Sequence, residues 1–143
     1  MLVQISKTLQ QQIFEQMEAT FPNEGGGFLL GTKINDIVVI EDVIHIENVF
    51  ESEEQYHRYA MTPQNWAKME DEADERGLLL VGYYHSHPNH PAIPSEFDRV
   101  HALPNFIYII TSVMDGISAV QKAWLLANNR SEFTELALEV HQI

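Results

Sequence analysis

The chain of 143 residues contains no cysteine. Disulfides, thiolate metal sites and a cysteine nucleophile are thereby excluded. Basic residues are scarce as well: 8 Lys+Arg stand against 21 Asp+Glu, a formal charge of −13. So acidic a surface repels phosphate backbones and anionic bilayers, which argues against nucleic-acid and membrane partners. No apolar run approaches the ~18 residues of a membrane-spanning helix. Near the N-terminus, Gln10-Gln11-Gln12 interrupts any apolar segment that a secretory signal needs. The expected location is the cytoplasm.

The length suits one domain, and the composition is that of a folded, core-forming chain. Leu2–Ile5 reads as a short strand. Ser6 is an N-cap candidate, and Leu9, Ile13 and Met17 recur on one face of a helix that must stop before Pro22. Four of the seven glycines lie between positions 25 and 31, around the buried strand candidate Phe28-Leu29-Leu30. Asp36 to Val49 reads as one long strand or a hairpin, and Glu51 to Tyr59 as a loop. Thr62-Pro63 opens a second helix with Trp66, Met69 and Ala73 on its buried face and Gly77 as its C-cap. The acids between 70 and 75 form its solvated face. Leu78–Tyr84 is nearly all apolar, the pattern of a central strand buried on both sides. Ser95–Leu103 reads as a short helix. Phe106–Val113, Ile117–Leu126 and Phe133–Val140 are further strands, the first two joined by the hairpin signal Asp115-Gly116. The class expected is α+β (α/β-like), with a mixed central sheet flanked by two larger helices.

The central strand runs into His85-Ser86-His87-Pro88-Asn89-His90-Pro91-Ala92-Ile93-Pro94-Ser95-Glu96-Phe97-Asp98. Strand residues at i and i+2 share a face, so both imidazoles can reach one ion. Pro88, Pro91 and Pro94 stiffen the following loop. Ser95 and Asp98 sit on one face of a helix's first turn. Two imidazoles, one carboxylate and an open fourth position are the pattern of catalytic zinc. Taken piecewise, the same residues also read as an N-cap, a first-turn acid and two hydrogen-bonded histidines at a strand end.

Together they resemble the JAMM or MPN-plus zinc metallopeptidases. The hallmark of that family is His-x-His-Pro, a short spacer and Ser-x-x-Asp. Upstream it has Pro-x-Glu-x-x-Gly, three hydrophobic residues and Gly, here Pro22, Glu24, Gly27, Phe28-Leu29-Leu30 and Gly31. The resemblance runs from the first helix to about Val113. It departs at Gly26, where relatives often carry cysteine. It implies a single JAMM/MPN-plus domain over residues 1–143, a cytidine-deaminase-like sandwich with a short helix after the metal loop. It also implies one Zn²⁺ per chain on His85, His87 and Asp98. Glu24 would be the general base, and Ser95 the donor to the developing oxyanion.

The segment looks most like the small prokaryotic members, some of which act on the C-terminal Gly-Gly of ubiquitin-fold sulfur carriers. The implied reaction is hydrolysis of an amide or isopeptide bond there. Gly25, Gly26 and Gly27 are candidates to receive the tail by strand addition. His90 is expected at the rim of the site as a substrate contact rather than a fourth ligand. His101 either orients Asp98 or faces water. Two other classes remain: a non-catalytic MPN-type scaffold, and a RadC-like DNA-associated protein, which the −13 charge opposes. A Ser-His-Asp hydrolase built on Ser86 lacks the Gly-x-Ser-x-Gly elbow.

Overall fold

A computed structural model describes residues 1–46 and 63–142. The elements run β1 (Leu2–Ser6), α1 (Lys7–Thr20), β2 (Gly26–Ile34), β3 (Ile37–Ile46), α2 (Pro63–Glu75), β4 (Leu79–Pro88), α3 (Glu96–His101), β5 (Ile107–Met114), β6 (Ile117–Leu126) and β7 (Phe133–His141). Ser6 caps α1, its Oγ accepting the Leu9 N–H at 3.1 Å. Helix α2 ends as its sequence asks: Gly77 takes a positive φ of 70°, and the Gly77 and Leu78 N–H groups bond back to Asp74 and Ala73. The Asp36–Val49 segment contributes one strand as far as Ile46, its hairpin partner being β2 across Asn35 (φ 55°). The expected loop 51–59 and the Thr62 cap lie outside the described residues.

The sheet is mixed, as expected, but it is not an open layer between helices. It closes in the order β1-β3-β2-β4-β5-β6-β7. Closure comes from β1, which pairs in parallel with both β3 and β7. Its alternate residues Val3 and Ile5 are fully buried and point into the barrel. The alternation of one five-residue strand is visible in the sequence; which two strands it lies between is not.

Two apolar clusters result. The first fills the barrel with Val3, Ile5, Leu29, Val38, Ile40, Val81, Tyr84 and Ile109, and includes Ile13 and Met17 of α1. The second lies under α2, where Phe28 meets Trp66 at 5.1 Å and Tyr83 at 5.2 Å between ring centroids. Strand β4 lies between β2 and β5 and serves both clusters. The register shifts where Leu29 pairs Gly82 and Leu30 pairs Leu80, leaving Val81 as the extra residue of a bulge. Beyond that bulge Tyr84 faces the barrel interior and Tyr83 the α2 side. His85 and His87 therefore continue the Tyr83 face, and Tyr83 and His85 have ring centroids 5.9 Å apart. No helix among the described residues is long and apolar enough to cross a membrane.

Candidate metal centre and active site

His85 and His87 leave the same face of the last turn of chain in β4, and both are buried. Their backbone is held on both edges: His85 pairs with Gly26 of β2 and with Ile110 of β5. Asp98 comes from the first turn of α3, also buried. The donor atoms of the three residues converge. His85 Nε2 and His87 Nε2 are 3.3 Å apart; His85 Nε2 lies 3.1 Å from Asp98 Oδ1, and His87 Nε2 lies 3.1 Å from Asp98 Oδ2. Zinc bonds of about 2.0–2.1 Å in a tetrahedral set place ligand atoms about 3.3–3.4 Å apart. The two imidazole nitrogens fit that spacing, and one ligand atom from each of the three residues lies within 4.8 Å of the others.

Hydrogen bonding points the same way. His87 Nδ1 faces the Pro91 carbonyl at 2.9 Å, so it carries the proton and donates. That leaves the Nε2 lone pair aimed at a carboxylate and a second imidazole, an arrangement that needs a shared positive charge. Asp98 Oδ1, buried, accepts no hydrogen bond of good geometry. Burial opposes charge on His87. Nevertheless the hydrogen bond and charge of Asp98, the Pro91 carbonyl and the Glu24 charge together raise its pKa above the ordinary imidazole value. Burial likewise works against the Asp98 carboxylate, yet the charge and close approach of His85, with hydrogen bonds from His87 and the Ser95 N–H, hold it well below the usual range. A divalent cation satisfies all of these groups at once.

The loop carrying the chain from His87 to Ser95 is pinned at three successive carbonyls. His90 O accepts from Ser112 Oγ at 2.6 Å, Pro91 O from His87, and Ala92 O from the Trp124 indole N–H at 3.1 Å. Asn89, at φ 57°, donates its N–H to Val113 O and accepts the Asp115 N–H on its side chain. Prolines are thus only part of the stiffening. Ser112 and Trp124 lie far along the chain from this loop, and no local pattern marks them.

Ser95 and Asp98 form a full capping box. The Asp98 N–H donates to Ser95 Oγ at 3.1 Å, and Ser95 N–H to Asp98 Oδ2 at 2.8 Å. A hydroxyl that accepts still has its own proton to donate. Glu24, buried just before β2, lines one cavity of about 340 Å³ together with His87, His90, Pro91, Ile93 and Ser95. Its neighbour Gly25 is clamped to β4, donating its N–H to Ser86 Oγ at 2.9 Å and accepting the Ser86 N–H at 3.0 Å. Ser86, between the two histidines, is therefore a positioning residue on the opposite face of β4. A cavity of about 350 Å³ at the other end of β4, by Leu79 and Val81, has Lys33, Glu70 and Asp74 but no converging ligand set among the described residues.

Gly25, Gly26 and Gly27 are buried, and β2 is hydrogen-bonded to β3 on one side and β4 on the other. Among the described residues, Gly26 and Gly27 therefore have no free strand edge to receive a tail by strand addition. A Cβ on Gly27 would collide with the Ile44 carbonyl oxygen and lie 2.6 Å from the Tyr84 hydroxyl, so that glycine serves close packing. His90 is exposed at the rim of the cavity, outside the convergent trio. His101 turns to Phe97, stacking at 4.0 Å and donating from Nδ1 to its carbonyl at 2.9 Å.

Residues 6–127 match the family described as prokaryotic homologs of the JAB domain. Among curated proteins, the chain is 31% identical over 83 residues to a desampylase of Haloferax volcanii, covering 57% of this chain and 55% of that one. It is 34% identical over 98 residues to a probable TtuB-protein conjugate cleaving protease of Thermus thermophilus, covering 68% and 61%. The matches thus span less than two thirds of those relatives' own lengths. A solution structure from Salinibacter ruber superposes with TM-score 0.74 at 37% identity, over 96% of this chain and 90% of that one. A JAB1/MPN domain protein from Archaeoglobus fulgidus shares the fold, with TM-score 0.63 at 22% identity over 97% and 99%.

Proposed function

The chain belongs to the prokaryotic homologs of the JAB domain, and on that footing we propose that it is a zinc-dependent isopeptidase or peptidase. Its substrate in this reading is the amide bond that follows the C-terminal Gly-Gly of a ubiquitin-like or sulfur-carrier protein. Residues 1–143 act as one catalytic domain. The observation that carries the reading is the buried His85–His87–Asp98 trio, whose ligand atoms lie within 4.8 Å of one another beside the cavity lined by Glu24 and Ser95. The similarity to a desampylase and to a probable conjugate-cleaving protease supports the substrate class.

One Zn²⁺ on His85, His87 and Asp98 would supply Lewis acidity, making water nucleophilic near neutral pH and polarising a carbonyl. The protein does the rest. Glu24 accepts a proton from the attacking water and delivers it to the departing amine as the C–N bond breaks. The Ser95 hydroxyl donates to the carbonyl oxygen as that oxygen gains negative charge. The pinned loop and the Ser86–Gly25 clamp hold these groups in place, so little reorganisation accompanies the reaction.

The test is cleavage of a ubiquitin-fold carrier extended beyond Gly-Gly, with zinc-loaded and chelated protein. Zinc-dependent cleavage is expected. Glu24→Gln is expected to keep the metal and lose turnover; full cleavage by this variant overturns the mechanism. Stoichiometric zinc without cleavage of any carrier conjugate would favour the scaffold class instead.

A further inference from the structure

The catalytic cavity does not end at Ser95. A second hollow of about 250 Å³ shares Ile93 and Ser95 with it and continues to Trp124, Glu132 and Phe133. Ile93 is 53% exposed and forms the sill between the two. The far hollow has two half-buried aromatic rings, Trp124 and Phe133, and an acidic edge at Glu132. The Trp124 ring is fixed by its hydrogen bond to Ala92 O, and Phe133 rests edge-on against Tyr108 at 5.9 Å. The hollow also holds Arg99, whose Nε and one terminal nitrogen donate to Glu96 and whose other donates to Arg130 O. That cation is already engaged, so the wall is no anion receptor, and Glu132 leaves its edge net negative.

We propose that this second hollow is the leaving-group subsite. It takes the aliphatic stem of the target lysine, with Glu132 facing basic residues beside that lysine. The inference rests on the hydrolase reading and deepens it. A Gly-Gly tail has no side chain and gains nothing from an aromatic-walled hollow. A lysine joined through its Nε places four methylenes next to the scissile bond, and these cover aromatic faces well. Ser95 lines both hollows, so an occupant of the second lies next to the residue that contacts the scissile carbonyl in this reading. The chain then favours isopeptide over linear peptide bonds and reads charge around the acceptor lysine.

The experiment compares two conjugates of one Gly-Gly-ending ubiquitin-fold carrier. One is joined to the lysine Nε of a peptide with flanking arginines, the other to the α-amine of a glycine peptide. Glu132→Lys and Phe133→Ala are assayed, with Trp124 left intact because it pins the loop. Each variant is expected to lower kcat/KM on the lysine conjugate by about 5- to 10-fold, mostly through KM. Cleavage of the glycine conjugate is expected to change less than about twofold, which also shows that the variants remain folded. A binding arm uses Glu24→Gln protein and a fluorescent lysine conjugate, where adding Glu132→Lys is expected to weaken Kd by a similar factor. Equal effects on both conjugates, or none on either, overturn the subsite. Failure of the wild-type protein to cleave either conjugate overturns the hydrolase reading, while the binding arm still decides whether the hollow recognises lysine.

Discussion

Asp98 and Ser95 grip each other in both directions, Ser95 N–H to Asp98 Oδ2 at 2.8 Å and Asp98 N–H to Ser95 Oγ at 3.1 Å. The oxygen that accepts from Ser95 also stands 3.1 Å from His87 Nε2. A helix cap and a candidate metal ligand are thus one carboxylate. The positive end of the short helix helps keep it ionised, and the cap fixes its orientation.

Asp98→Ala removes both functions. Metal affinity is expected to fall at least 100-fold, measured by equilibrium dialysis. The metal-free protein is expected to lose roughly 1 kcal/mol from the broken cap, or more where buried donors stay unpaired, measured by urea unfolding. Unchanged zinc stoichiometry at micromolar zinc would remove Asp98 from the ligand set.

Ser86→Ala separates positioning from metal binding. It leaves the buried Gly25 N–H without its acceptor, so Glu24 is less firmly held. Zinc content is expected to stay at one per chain, while kcat falls about 10- to 100-fold. A variant that loses zinc instead would show Ser86 acting through the histidines.

Stability against pH should differ between the chelated and loaded proteins. Asp98 is held below its unfolded value, so its contribution is complete above about pH 4 and is lost as pH falls through the folded value. His87 is held above its unfolded value, so its contribution is complete below about pH 6.5 and is lost as pH rises through the folded value. The chelated protein is therefore expected to have its highest Tm between those limits, as far as these two groups decide it. Zinc bound at His87, as proposed, would replace its proton, so the loaded protein should show no decline on the alkaline side near neutrality. Parallel Tm profiles for the two forms would contradict this.

Gly27→Ala tests the glycines as packing rather than substrate contacts. The added methyl meets a main-chain oxygen of β3. The variant is expected to be destabilised by about 1–3 kcal/mol. Loss of carrier affinity at unchanged stability would return these residues to the binding surface.

Much of the site was legible because its parts are local. His85 and His87 are two apart on a strand, and Ser95 and Asp98 three apart on a helix, so periodicity alone puts each pair on one face. Glu24 was legible only through the resemblance. Its physical attachment runs from Gly25 to Ser86, sixty-one residues away. Ser112 and Trp124 escaped for the same reason: a side chain that bonds a distant carbonyl leaves no spacing to read. The paired edges of β2 are likewise a property of sheet order, which glycine content does not encode. The alternation in β1 indicated a strand but not the partners that close the barrel.

That closure sets an order of assembly. Gln4 bonds Glu139 across a separation of 135 residues, and β1 needs β7 to complete its second edge. A growing polypeptide emerges with every residue of the His-Asp trio made well before β7 leaves the ribosome. Contacts of such long range form late and slowly. Until the last strand docks, β1 keeps one bare edge, and nascent chains crowded on a single message are open to pairing with one another there.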